Sequence, residues 1–206
     1  MNIRPYPDVI VLTETFIGAD RQAVRATPIG YRPAAATVSY FIGNDDTRHQ
    51  RGLTTFERVK LGEVFPGIDV QLRATGTNVE KIFTVSPHQN PRRIRVQLDG
   101  ARRLELDQRG RLIAHTDNGP IVYTAPIAFQ EDAYGNRQPV AVQYVLDFPT
   151  NQYRFAVASY DATRALVIDP LPQSTYLGAG GTDVAKALAI HPASGDVHVA
   201  GSTDLT

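Results

Sequence analysis

An all-β, antiparallel sandwich-like fold is what this sequence predicts, and three observations predict it. Apolar and polar residues alternate with a period of two in many short runs. Gly, Asn and Asp clusters punctuate those runs at spacings of roughly ten residues, the rhythm of hairpin-linked sheets rather than of βαβ units. Sustained 3.6-residue periodicity is scarce.

Taken along the chain, candidate strands fall at residues 8–16, 36–42, 56–61, 68–74 and 79–85. In the last of these Lys81, Phe83 and Val85 share one face and Ile82 and Thr84 the other, which is the pattern of a half-buried strand. Further candidates are 94–98, 104–106, 112–116, 121–123 and 127–131, then 140–147 and 154–157. In 140–147, Val140, Val142, Tyr144 and Leu146 lie on one side. Between the runs stand Gly43-Asn44-Asp45-Asp46, Gly76-Thr77-Asn78, Leu98-Asp99-Gly100, Asp107-Gln108-Arg109-Gly110, Asp117-Asn118-Gly119 and Tyr134-Gly135-Asn136. Each supplies residues tolerant of positive φ and reads as a hairpin turn. Two stretches, 45–52 and 182–189, read as helical exceptions too short to alter the class.

A length of 206 residues with 42% hydrophobic side chains suffices for one large domain, or for one domain with an appendage. Lys and Arg number 21 against 21 Asp and Glu, so the net charge of zero argues against electrostatic capture of nucleic acid or anionic membrane. Cysteine is absent, which excludes disulfides, zinc–thiolate and iron–sulfur sites and a cysteine nucleophile. The opening MNIRPYPDVIVLTETF has no cationic leader with a cleavage site, and no apolar run reaches membrane-spanning length.

Reactive chemistry is thinly represented. The acidic turn Asn44-Asp45-Asp46 lacks the spacing of a calcium loop, and Gly178-Ala179-Gly180-Gly181 lacks the Lys-Ser/Thr ending of a phosphate loop, so both read as turns. His49, His88, His115, His191 and His198 show no ligand spacing. His191 and His198 are expected to face each other across a hairpin formed by 185–191 and 197–202, with no carboxylate patterned to complete a metal site. There is no Gly-x-Ser-x-Gly elbow. The carboxylate pairs Glu105/Asp107 and Asp161/Asp169 offer a glycosidase-like reading that any β protein of this size would offer. The expectation is a non-enzymatic chain with neither cofactor nor metal.

Positive charge is nonetheless uneven. Arg92, Arg93, Arg95, Arg102, Arg103, Arg109 and Arg111 stand against only Asp99, Glu105 and Asp107. Guanidinium forks suit carboxylated or sulfated glycans, which makes Arg93, Arg95, Arg102 and Arg103 candidate ligand-binding residues; the competing reading is a solvated strand face that discourages edge pairing. Nine Tyr and eight Phe with no Trp are spread through strand patterns and read as core rather than as a sugar-stacking platform.

The ordered motifs VSYFIGND (38–45), VFPGIDV (64–70), IRVQLDG (94–100), APIAFQ (125–130) and LVIDP (166–170) resemble an uncharacterised bacterial domain that precedes SBBP-type β-propeller repeats in large exported proteins. The segments STYLG (174–178) and VHVAGST (197–203) resemble the opening and closing of the first such repeat. The resemblance divides the chain into a sandwich-like module at 1–172 and a single repeat at 173–206. A propeller needs about four to eight four-stranded blades, so one repeat cannot bury its own apolar face. The expectation is therefore a piece of a longer cell-surface or secreted protein, abbreviated at its N-terminus, whose tail is either loosely ordered or packed on the first module. The function so implied is a structural and interaction module that caps and presents the repeat array. Its partners would be the downstream repeats, with a surface glycan or another protein besides. The alternatives are a module binding acidic glycan or cell-wall polymer through the arginines of 92–111, and a glycan-active hydrolase.

Overall fold

In a computed structural model, described for residues 12–40, 49–75, 78–117, 119–169, 183–191 and 195–203, the alternating runs become strands. The first eight are β1 (Thr13–Phe16), β2 (Ile29–Tyr40), β3 (Gln50–Phe65), β4 (Ile68–Thr75), β5 (Asn78–Val85), β6 (Val96–Asp99), β7 (Arg103–Leu106) and β8 (Leu112–Thr116). The rest are β9 (Gly119–Tyr123), β10 (Ile127–Glu131), β11 (Arg137–Val140), β12 (Val142–Asp147), β13 (Gln152–Val157), β14 (Leu166–Asp169), β15 (Asp183–Ile190) and β16 (Val197–Thr203). Their ladders are antiparallel, and the described residues add only short 3-10 turns at Pro91–Arg93 and Phe148–Thr150. The all-β expectation holds.

The strands form three sheets. One runs β1-β6-β13-β12; a second runs β11-β10-β14-β5-β4-β3-β15-β16 with β2 also on β3; the third is β7-β8-β9. Phe56 of β3 faces Pro33 of β2 and Leu188 of β15, while Arg58 faces Tyr31 of β2 and Arg73 of β4. Hence β4 and β15 share one edge of the long strand β3, and β2 takes the other. The tail hairpin is packed on the first module, as one of the two expectations for it had it: Leu188 is fully buried in the common core.

That core lies between the four- and nine-stranded sheets and is crossed by aromatic rings. Phe16 of β1 meets Phe65 and Phe83 edge-on at 5.9 and 6.3 Å, and Phe83 meets Phe155 of β13 at 5.6 Å. Tyr144 and Tyr153 continue the cluster, 5.4 Å apart. Such edge-to-face contacts add to what the burial of the rings already contributes. Leu104, Leu112, Ala114 and Tyr123 of the small sheet close the same core.

Several expectations change. The described part of the stretch 182–189, read as a short helix, lies in strand β15 and forms with β16 the hairpin expected of 185–191 and 197–202, because pairing with both β16 and β3 outweighs an intrinsic helix preference of a few tenths of a kcal/mol per residue. The described end of the other helical stretch, Gln50 to Gly52, opens β3 instead. The single strand read over 140–147 breaks at Ala141: β11 belongs to the large sheet and β12 to the four-stranded one, so the chain changes layers there. Pro139, which lacks an N–H, is accommodated because β11 is an edge strand. Leu98-Asp99-Gly100 likewise passes from β6 to β7 in another sheet and is no hairpin. β14, seen in sequence only as a family motif, pairs with both β5 and β10 near the middle of the large sheet. The Asn44-Asp45-Asp46 turn, the glycines at 178–181 and the repeat opening at 174–178 lie outside the described residues.

Candidate functional site

The outer face of the four-stranded sheet collects polar side chains, and pairing between distant segments brings them together. Gln152 stands opposite Gln97 and Tyr153 opposite Val96. Val96 and Tyr153 point into the core, so Gln97 and Gln152 point out, joined by a hydrogen bond of 3.2 Å. Beyond this ladder Arg95, just ahead of β6, and Arg154 of β13 reach the same cleft. Arg95, Asp147, Phe148, Gln152 and Arg154 line a cleft of about 420 Å³. Among the described residues neither guanidinium has a hydrogen-bonded or ion-paired partner.

The cleft's rim is held rigidly. Between β12 and β13 the 3-10 turn Phe148–Thr150 ends at Asn151, which adopts the left-handed conformation with φ 49° and ψ 40°. Two hydrogen bonds stabilise this conformation: Asn151 Nδ2 donates to the Ala101 carbonyl at 2.7 Å and the Leu98 N–H donates to the Asn151 carbonyl at 3.0 Å. The turn so fixed leaves Phe148 70% exposed.

Of the four arginines singled out in the sequence, only Arg95 lines this cleft. Arg93 donates to the Pro66 carbonyl at 3.2 Å and the Gln89 amide oxygen at 3.4 Å, bracing the β3–β4 turn. Arg102 pairs with Asp117, and Arg103 with Glu105 at 2.7 Å, both on the three-stranded sheet. Arg154, Gln152 and Phe148 went unremarked in the sequence. The available signal was an exposed-type Phe-Pro-Thr-Asn turn between two alternating strands.

A second group of charges is buried. Lys81 of β5 points into the core, where it contacts the Glu14 carboxylate of β1, hydrogen-bonds the Tyr153 hydroxyl at 3.0 Å and lies 5.7 Å from the centre of the Tyr153 ring. Burial pulls its amine down to about 7 despite the carboxylate beside it. The same desolvation raises the phenols of Tyr123, Tyr144 and Tyr153, which stay protonated. At another point Arg73 pairs with buried Glu80, and burial together with the Glu80 charge raises Asp169.

The carboxylates that suggested hydrolysis are tied into local structure. Hydrogen bonds from His115 and Arg103 hold Glu105 below the ordinary carboxylate range. Burial works to raise Asp107, but the backbone and guanidinium of Arg111 bring it down on balance. The hydroxyl and backbone of Thr163 do the same for Asp161. His191 and His198 do face each other across the tail hairpin, with ring centres 6.2 Å apart. Among the described residues no group of three or more His, Asp or Glu side chains is arranged to hold a metal, and no helix is long and apolar enough to cross a membrane.

Two motif residues acquire structural roles. Gln130 is buried and donates through Nε2 to the carbonyl of Asp161 at 2.8 Å while its oxygen accepts from the Asp161 N–H at 2.9 Å, fastening the loop that precedes β14. Gly67 turns β3 into β4 at φ +72°, where a side chain would run into Gln89.

Neither the curated proteins nor the solved structures yield a match to this chain. A family profile does, over residues 7–171, a span that takes in β1 to β14 and with them the cleft and the buried Lys81 group. The chain belongs to the family described as a domain of unknown function, DUF7948.

Proposed function

We propose that the chain is a non-catalytic structural and interaction module that carries and caps a following β-repeat array in a bacterial surface or secreted protein. The observation that supports this is the seating of β15 on β3. The hairpin's buried Leu188 is shared with the core of the sandwich, so whatever strands extend the hairpin inherit a fixed register on a folded base. A sheet that ends in an added hairpin also covers an edge of β3 that would otherwise template association. The test is the size and location of the native protein in its source. A mass well above that of 206 residues in a surface or culture fraction supports the reading, and a protein of this length in the soluble cell fraction overturns it.

A second reading, a module for acidic glycan or cell-wall polymer that binds through the arginines of 92–111, is favoured by one observation. Arg95 stands in the cleft with no anionic partner among the described residues. Retention on an acidic polysaccharide matrix at low ionic strength, lost at moderate salt, tests it.

A further inference from the structure

We propose that the outer face of the four-stranded sheet holds a carboxylate-bearing sugar, a uronic acid residue within an acidic polysaccharide, clamped between Arg95 and Arg154 and stacked on Phe148. This rests on the acidic-glycan reading, relocates it to one cleft and gives it a second arginine outside the 92–111 segment.

The argument begins with a cost. Two cations brought into one cleft on a sheet face repel and tend to destabilise it. Sheets normally answer a cation with a carboxylate, as the three-stranded sheet does where Glu105 takes Arg103 at 2.7 Å. At Arg95 and Arg154 no such answer exists among the described residues, although Asp147 lines the same cleft. An external anion resolves the repulsion, and two guanidinium forks on one face present donors in the planar arrangement that a carboxylate accepts.

The neighbours narrow the anion to a sugar acid. Phe148 projects from a turn that Asn151 locks through its left-handed backbone and its bond to Ala101, so its exposed ring is a preorganised apolar platform at the edge of the cationic pair. A pyranose ring offers C–H bonds to such a platform while its hydroxyls reach acceptors and donors like Asp147 and Gln152, which also line the cleft. A volume of about 420 Å³ suits a short stretch of sugar rings. An aspartate- or glutamate-rich peptide would satisfy the arginines and leave Phe148 without a role.

The test is titration of the full chain with oligogalacturonate of defined length. Neutral maltooligosaccharide and polyglutamate serve as controls, at low and moderate salt. Oligogalacturonate alone is expected to bind and to raise the melting temperature. Arg95→Gln and Arg154→Gln are each expected to weaken it about tenfold or more, and Phe148→Ala several-fold. Arg154→Gln should retain or raise the melting temperature of the free protein, since it removes a repulsion; a merely structural arginine would lower it. Equal binding of polyglutamate, or loss with Arg154→Gln that Phe148→Ala does not share, overturns the sugar. Binding that survives Arg95→Gln/Arg154→Gln but disappears in Arg93→Gln/Arg102→Gln/Arg103→Gln overturns this cleft and leaves the broader glycan reading standing. No binding at low salt removes both.

Discussion

Lys81 Nζ donates a 3.0 Å hydrogen bond to the hydroxyl of Tyr153, joining β5 of the nine-stranded sheet to β13 of the four-stranded one through the middle of the core. With Glu14 of β1 on the same amine, this contact ties three strands of both layers to one buried charge. Its energetic consequence depends on pH.

Lys81 has an amine near 7 in the folded protein and an ordinary one at 10.5 when unfolded. Between these values the unfolded chain holds a proton that the folded chain has released, so this group makes stability rise with pH across the window. Below about pH 7 both states are charged and the burial cost is present in full. Glu14→Gln, which leaves the charge unpaired, is expected to cost about 1–3 kcal/mol near pH 6 and less near pH 9. Replacing both partners, Glu14→Leu with Lys81→Met, is expected to be neutral or stabilising by ~1–4 kcal/mol near pH 6, with the margin shrinking as pH rises. Urea unfolding at the two pH values decides it; a margin that does not change with pH refutes the assignment.

How far the sequence foretells these features follows from the range of the interactions involved. Alternation within 79–85 correctly groups Lys81 with Phe83 and Val85, since a period of two is a local property of the strand. It does not say which group faces inward, and a lysine on a face is ordinarily taken as the solvent side. The hairpins at 107–110, 117–119 and 134–136 are legible from their Asp, Asn and Gly residues because turn chemistry is equally local. The changes of layer at Gly100 and Ala141 are not, for nothing in either residue distinguishes a bend within a sheet from passage between two. The cleft is the extreme case. Arg95 is visible as a basic residue, but its neighbour Arg154 arrives only through the pairing of β6 with β13.

Gly30 of β2 lies beneath the ring of Phe56, which occupies the space a Cβ would need. The glycine is there for close approach, since its φ does not fall in the left-handed region. Gly30→Ala is expected to cost about 1–3 kcal/mol through displacement of the ring. In a Phe56→Ala background the same substitution should cost far less, and a double-mutant cycle by chemical denaturation reads the difference. An equal cost in both backgrounds would mean that the ring is not what the alanine meets.

Asn151 is left-handed and also donates its side-chain amide to Ala101. Asn151→Ala forfeits both the tolerance and the bond, for an expected loss of about 1–3 kcal/mol. Asn151→Gly forfeits only the bond and should lose about 0.5–1.5 kcal/mol. Thermal unfolding of the two variants separates the contributions; alanine matching glycine would show that the backbone conformation carries no cost here.

Leu188 decides whether the tail hairpin is part of the folded unit. It is completely buried, paired with Phe56 of β3 and in contact with the common core. Leu188→Ala should therefore cost about 2–5 kcal/mol, as buried leucines do when truncated. Leu188→Glu places a charge where water is excluded and should release the hairpin from β3 without unfolding the sandwich, because β4 still covers the neighbouring part of the same edge. Hydrogen exchange is expected to quicken throughout β15 and β16 while β4 and β5 keep their protection. If the hairpin stays protected in that variant, the pairing between β15 and β16 suffices on its own and the docking on β3 contributes little. If β4 and β5 lose protection with it, hairpin and sandwich fold as one cooperative unit, and strands that follow would extend a sheet rather than begin a separate domain.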